Sequence, residues 1–266
     1  MHPARHQGQP WSDGLPEPGH LGLTEHFSGD AVMHGNDPVI RSPHRLGAAS
    51  CTAQLLIGTA GAAIWAARGG PRTDISIDII HALHYLHQTH YVGQSGYPSS
   101  VGAEFVEVNG IFPANAYGHS GPWKDRPGFD QNGQVASGFA MTEGQGGLPK
   151  FSPVFYLADL ITGYFAAAGM MAALLRRAIE GGSYQVKLSL TRSAMWVQEL
   201  GLLDVAAQGE VPDTDSYPAT TVSINTAYGA VTSLAPPLTF TNLTLPATDR
   251  LVPYGADPAS WPPETS

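Results

Sequence analysis

Cysteine is almost absent from this chain. The one present, Cys51, has no partner for an internal disulfide, which suits a reducing, cytoplasmic setting. Charge is scarce as well: 13% of the residues are charged, and 13 basic side chains stand against 22 acidic ones, for a net charge of −9. A chain without a basic surplus has no face that neutralises a phosphate backbone, so nucleic acid is excluded as its main partner. A small anionic ligand held by a few local cations is not excluded. The opening stretch MHPARHQGQPWSDG lacks the apolar run of a secretory signal. What the chain has in quantity is glycine (31) and proline (22), a mix that implies buried helices joined by many loops. Its 266 residues are enough for a sizeable core.

Residues 1–44, rich in Pro, Gly and His, read as a loosely ordered arm. From Leu46 to Ala67 the chain carries no charge for 22 residues, long enough to cross a bilayer. Its Gly, Ser, Thr, Cys and Gln content, without aromatic and basic flanks on both sides, reads instead as a buried helix. Residues 45–95 thus form a helix–strand–helix lead segment, with a glycine stop at Gly69-Gly70, an alternating strand at 74–79 and a helix at 80–91. Residues 96–116 are a junction with a short strand at 104–108, and 117–210 form the central unit. There a helix over 160–179, packed on several sides, ends at Gly181-Gly182 and is followed by a strand at 186–190 and a helix over 193–204. The order matches the lead segment: an offset of 111 residues lays Ile75, Ile77 and Ile79 on Val186, Leu188 and Leu190, and Ala48 on Asp159. Residues 211–266 are a Pro-rich extension with short strands at 221–224 and 237–245.

Two features carry chemistry. Asp159 opens a run of sixteen uncharged residues that ends at Arg176. An acid there is either a helix cap, which satisfies an orphan N–H, or a carboxylate kept ionised by the helix dipole and free to attack a carbonyl. The second feature is the glycine-rich loop 118–130, where Lys124 and Arg126 place positive charge as a phosphate-bearing ligand requires. The same composition also describes an ordinary surface loop. His81, His84, His87 and His90 recur at every third position, but that spacing slips around a helix and brings no acid or Cys with it. They read as a solvated face, with no metal site. Asn242-Leu243-Thr244 fits a glycosylation sequon that a cytosolic chain does not use.

The pieces YGHSGPW, RPGFD, QVASG, LADLITG, LLRRAIEGG and VKLSL follow one another from residue 117 to residue 190. In this order and spacing they resemble the family III CoA-transferases of the CaiB/BaiF type. The resemblance implies an α/β, Rossmann-like fold, here incomplete, with long buried helices and a helical N-terminal segment. It implies transfer of CoA from an acyl-CoA thioester to an acceptor carboxylic acid, with Asp159 as the nucleophile that forms a mixed anhydride and then an enzyme–CoA thioester. The CoA thioester is a substrate, and no tightly bound cofactor is implied. Phe129 and Asp130 fall where the family has an aromatic–acid pair lining the CoA pocket, Gln134 follows, and His119, Lys124 and Arg126 lie on the adjoining loop. The resemblance also implies a homodimer, with no membrane or nucleic-acid partner. Acyl-CoA racemases share the aspartate but place a histidine where Phe129 stands, and phenylalanine carries no proton. The family's opening nucleotide-binding strand and its Ala-Gly-Pro turn have no counterpart here. The alternative is therefore a catalytically inactive relative that serves as an interaction module.

Overall fold

The computed structural model of the protein describes residues 9–10, 22–23, 26–94, 114–154, 156–245, 253, 255–256 and 260. The strand expected at 104–108 lies outside them. In chain order the lead half contains β1 (Gln9–Pro10), β2 (Ala31–His34), α1 (Leu46–Ala67), β3 (Ile75–Asp78), α2 (Ile79–His84) and β4 (Gly93–Gln94). The second half contains β5 (Ala114–Asn115), α3 (Asp130–Ala136), α4 (Phe139–Glu143), α5 (Leu157–Glu180), β6 (Leu188–Ser189) and α6 (Leu190–Glu199). The hairpin β7 (Thr221–Thr226) and β8 (Gly229–Leu234) and the strand β9 (Leu238–Phe240) follow. This is the mixed α/β architecture that the family resemblance implied.

The 111-residue offset has a physical counterpart. In each half a long helix runs between two parallel strands, with His34 beside Asp78 in one pair and Asn115 beside Ser189 in the other. The offset maps Asp78 onto Ser189, and each caps the helix that follows: Asp78 accepts from the Ile80 and His81 amides, Ser189 from the Arg192 amide. It also maps Gly47 and Ala48 onto Ala158 and Asp159. The first pair donates its amides to the Asp37 carboxylate at 3.1 and 2.9 Å. The second pair donates to Asp130 at 2.6 and 3.1 Å. Both long helices are therefore capped by an acid brought from an earlier segment, and both leave their own N-cap residue without a capping side chain.

The core lies between α1, α2, β3, α5 and α6. α1 is nearly all buried because glycine and alanine let it approach its neighbours: a Cβ added at Gly58 would meet Ile75 Cγ2 and Leu238 Cδ1 at 3.1 Å. Removing side chains such as Leu46, Leu55, Ile75, Ile77 and Leu83 from water contributes roughly 1.5–3 kcal/mol each. α5 differs from the expectation of packing on several sides. It buries Leu157, Ala158, Ile161, Ala168, Ala172 and Leu175, yet leaves Met170, Leu174 and Ile179 exposed. Both helices are long and apolar enough to cross a bilayer; α1 is covered by its own chain, α5 on one side only.

The arm expected over 1–44 is, in its described part, built into the fold. β2 pairs with β1 and β3, and Val39, Ile40, Ser42 and His44 are buried. His44 stacks on Phe139 at a ring separation of 3.7 Å, and its Nδ1 meets Glu143 Oε2 at 2.9 Å. Ser42 Oγ donates to the same oxygen at 2.8 Å, so α4 is pinned to the lead half. The Pro-rich extension is likewise woven in, since β8 pairs with β4 and β9 with β3. The second arm of the hairpin, β8, was not anticipated, although Ala230 to Leu234 is a run suited to a strand. α2 ends at His84 rather than near residue 91, and a short 3-10 turn over Gln88–Tyr91 follows. The histidine row is not a solvated face: His84 is fully buried and His81 Nε2 donates to the Ala235 carbonyl at 3.0 Å. Among the described residues no three His, Cys, Asp or Glu side chains converge as metal ligands.

Candidate active site

Asp130 reaches the start of α5 because α3 is pressed between two close backbone contacts. A Cβ at Gly128 would collide with Ala116 Cβ at 2.5 Å, and one at Gly133 would meet Leu190 Cβ at 3.0 Å. The glycines therefore let the chain pass β5 and lie against α6. The first turn of α3 is closed by Asn132 Oδ1, which accepts from the Phe129 amide at 3.0 Å. Asp130 is then 1% exposed, and its Oδ2 accepts both the Ala158 and the Asp159 amides. Gln134, one turn further on, donates to Asp130 Oδ1 and accepts the Ser152 amide at 2.8 Å. Burial pushes the Asp130 carboxyl up, and its three hydrogen bonds oppose that rise.

This arrangement rules against the capping reading of Asp159. The capping oxygen belongs to Asp130, 29 residues away, and not to Asp159. Asp159 is the third residue of α5, is exposed to solvent, and receives no hydrogen bond on its carboxylate from any described residue. Protein mass crowding its inner side, and then the Asp130 charge, lift its pKa from 3.8 to about 6. The residue before the helix, Tyr156, has φ +50°, a left-handed conformation uncommon outside glycine. Because Asp130 already takes the Ala158 and Asp159 amides, these two N–H groups are not open to a reacting oxyanion, contrary to what a bare helix start would provide.

The remaining residues singled out from the sequence separate into two groups. Asp159, Asp130 and Gln134 form the cluster just described. His119, Lys124, Arg126 and Phe129 are all exposed. The Asn115 side chain ties the turn together by donating to the Gly118 and Lys124 carbonyls, at 2.7 and 3.3 Å, across a Gly118 at φ +101°. Arg126 stacks over Trp123 with 5.4 Å to the ring centroid, and Trp123 packs edge-on to Tyr117. The loop cations Lys124 and Arg126 face outward and do not meet Asp159 in a hydrogen bond or ion pair.

His119 instead lines a cavity of about 440 Å³ between the turn at 118–120 and α6. Its other walls include Lys187, Arg192, Ser193, Phe165 and Trp196, none of which sequence reasoning singled out. Asp159 is not in this wall. The link runs through Thr162, one turn further along α5, whose hydroxyl donates to Ser193 Oγ at 2.6 Å. The one local signal for these residues was the alternation that puts Lys187 and Ser189 on the same face of the 186–190 run. A second groove, about 470 Å³, runs along the exposed side of α5 past Met170, Leu174 and Arg177.

Residues 111–231 match the family model described as CoA-transferase family III. The chain is 33% identical over 93 residues to an acetyl-coenzyme A transferase, nodX, of Hypoxylon pulicicidum, which covers 34% of this chain and 16% of that protein. It is 37% identical over 113 residues to the cinnamoyl-CoA:phenyllactate CoA-transferase of Clostridium sporogenes, 42% of this chain and 25% of that one. It is 35% identical over 81 residues to the succinyl-CoA–L-malate CoA-transferase beta subunit of Chloroflexus aurantiacus, 29% of this chain and 19% of that one. These alignments span no more than 25% of the curated relatives' length. No solved structure matches it.

Proposed function

We propose that this chain, whose residues 111–231 carry the family III CoA-transferase sequence, moves CoA from an acyl-CoA thioester to a carboxylic acid, with Asp159 as the acyl-accepting group. The observation that carries the reading is the division of labour at the start of α5: Asp130 caps the helix, while the Asp159 carboxylate takes no hydrogen bond from any described residue and is open to solvent. An Asp159 oxygen attacks the thioester carbonyl, the C–S bond breaks, and CoA leaves as thiolate with an acyl–aspartyl anhydride in its place. The thiolate attacks the aspartyl carbonyl and expels the donor's carboxylate, leaving an enzyme–CoA thioester. The acceptor carboxylate repeats the first step on that thioester, and the returning thiolate releases the new acyl-CoA and the free Asp159. The anhydride keeps the acyl group activated throughout, so a carboxylate serves where a hydroxyl would lead to an ordinary ester.

The attacking form is the anion, so adduct formation rises with pH through about 6, the Asp159 pKa. The test is incubation with a panel of acyl-CoAs, trapping with hydroxylamine and mass spectrometry of the peptide containing residue 159. A hydroxamate at Asp159 with some donor supports the transferase; its absence with every donor counts against it. Racemisation is disfavoured by Phe129, which is exposed and has no ionisable group, while His119 lines a different cavity. The cytoplasmic setting and a homodimer belong to the same proposal. The exposed apolar side of α5 favours a second reading, an interaction module without turnover. It would show as binding of a partner by a chain that forms no adduct and is not stabilised by CoA.

A further inference from the structure

α1 and α5 are both long and apolar, but 78% of the most apolar stretch of α1 is buried and only 33% of that of α5. What α5 leaves uncovered forms one stripe. At about 100° per residue, Asp159, Gly163, Ala166 and Ala167 fall in one arc of the helix with Met170, Ala173, Leu174 and Arg177. The buried Ile161, Ala168, Ala172 and Leu175 lie opposite. The stripe is uneven from end to end. Its first half is small and opens on an acid; its second half is bulky, with Met170 and Leu174 exposed, and closes on a cation. No acid among the described residues pairs with Arg177, since Glu180 is taken by Arg176 at 3.2 Å and by the Tyr184 hydroxyl at 2.9 Å. The groove of about 470 Å³ flanks the bulky half, walled by Tyr184 and Val186.

We infer that two copies of the chain pair along this stripe, their α5 helices antiparallel, with Arg177 of each beside Asp159 of the other. The inference gives the homodimer proposed above a face and a register. The pairing stands apart from the chemistry of Asp159, and only its kinetic consequence rests on that reading. Asp159 and Arg177 are about five full turns, or 27 Å, apart, so they stand in line along the helix. A two-fold axis near Ala168 therefore forms both ion pairs at once. It also sets bulk against small residues: Met170 and Leu174 lie on the partner's Ala166 and the partner's Gly163. Glycine and alanine let the two axes approach to about 8 Å. A parallel pair would oppose like charges and set Leu174 against Leu174, and it would align the two helix dipoles. This match of charge and of bulk selects a second copy as the occupant. The contact covers the Asp159 carboxylate, so the pair is the resting form and the thioester meets Asp159 on the separated chain.

The test is sedimentation equilibrium of the whole chain over about 1–200 μM, where a reversible dimer with a micromolar Kd is expected. Leu174→Glu, at an exposed position, keeps the circular dichroism and weakens pairing about tenfold or more. Arg177→Glu and Asp159→Lys each weaken it about fivefold or more, and the doubly reversed chain regains the original Kd within about twofold. Gly163→Cys, where an added Cβ meets nothing within 4 Å, crosslinks on mild oxidation with Ala173→Cys, and neither variant crosslinks with itself. Hydroxamate formation per chain falls as the concentration rises through Kd. A chain that stays monomeric to about 200 μM overturns the inference, as does a monomer that binds phosphatidylcholine–phosphatidylserine vesicles through Met170 and Leu174. Self-crosslinking of either cysteine variant overturns the register, and a hydroxamate rate independent of concentration overturns the resting form. A dimer that responds to the charge reversals, with no hydroxamate at any concentration, upholds the face and removes the transferase reading. A hydroxamate from a chain that never pairs does the reverse.

Discussion

Replacing Asp159 by asparagine keeps the side-chain shape and removes only the charge, so it weighs the two roles of this residue against each other. The pKa is lifted from 3.8 to about 6, so the folded state holds its proton more tightly than the unfolded chain. Ionisation therefore destabilises the fold: the penalty is absent below the unfolded pKa, grows between about pH 4 and pH 6, and is complete above. Two pKa units on a fully buried group would be about 3 kcal/mol. Asp159 is exposed, and solvent screening reduces this to about 1 kcal/mol. A carboxylate in the first helical turn also gains about 0.3–1 kcal/mol from the dipole, which asparagine forfeits. The balance is a gain of zero to about 0.7 kcal/mol for Asp159→Asn at pH 7.5, a rise in Tm of up to about 2 °C for a chain of this size. The gain should vanish near pH 4, where the wild-type carboxyl is protonated in the fold. Thermal and urea unfolding of both proteins across that pH range is the assay. A fall in Tm at pH 7.5, or a difference that does not change with pH, would show that Asp159 serves the helix as a cap, and the nucleophile argument would fail with it.

Four further substitutions test the frame around the site. Asp130→Ala leaves two helix amides and the Gln134 side chain without their acceptor, and should cost about 2 kcal/mol in urea unfolding; an unchanged midpoint would refute the capping role. Glu143→Ala strands His44 and Ser42 inside the core and should cost about 3 kcal/mol, measured the same way. Gly163→Ala, where an added Cβ meets nothing within 4 Å, should raise stability by about 0.5–1 kcal/mol. Gly169→Ala on the same helix should not, because Val186 Cγ1 stands 2.8 Å from the new atom.

Much of the framework follows from short-range chemistry. The uncharged runs behind α1 and α5, the glycine stops after them and the alternating Ile75 and Ile77 each dictate a local geometry, and the structure keeps all three, with Ile79 starting α2 instead of ending the strand. Asp78 and Ser189 cap helices that begin one residue later, a contact sequence spacing alone can deliver. The offset between the two halves was visible for the same reason: repeated local patterns survive as repeated residue types. What spacing could not decide was which acid would cap α5. Asp159 sits at the helix start by sequence, but a carboxylate 29 residues earlier occupies the amides, because packing of α3 on α6 carries Asp130 there. The cationic cavity likewise needs the turn at 118–120 beside Lys187 and Arg192, nearly seventy residues on, a meeting that only chain folding arranges. Backbone conformation responds to neighbours a few residues away, whereas the charge and access of a side chain depend on whatever the whole chain presses against it. The identity of α1, β3 and α5 was therefore settled by the sequence, and the freedom of Asp159 by the tertiary structure.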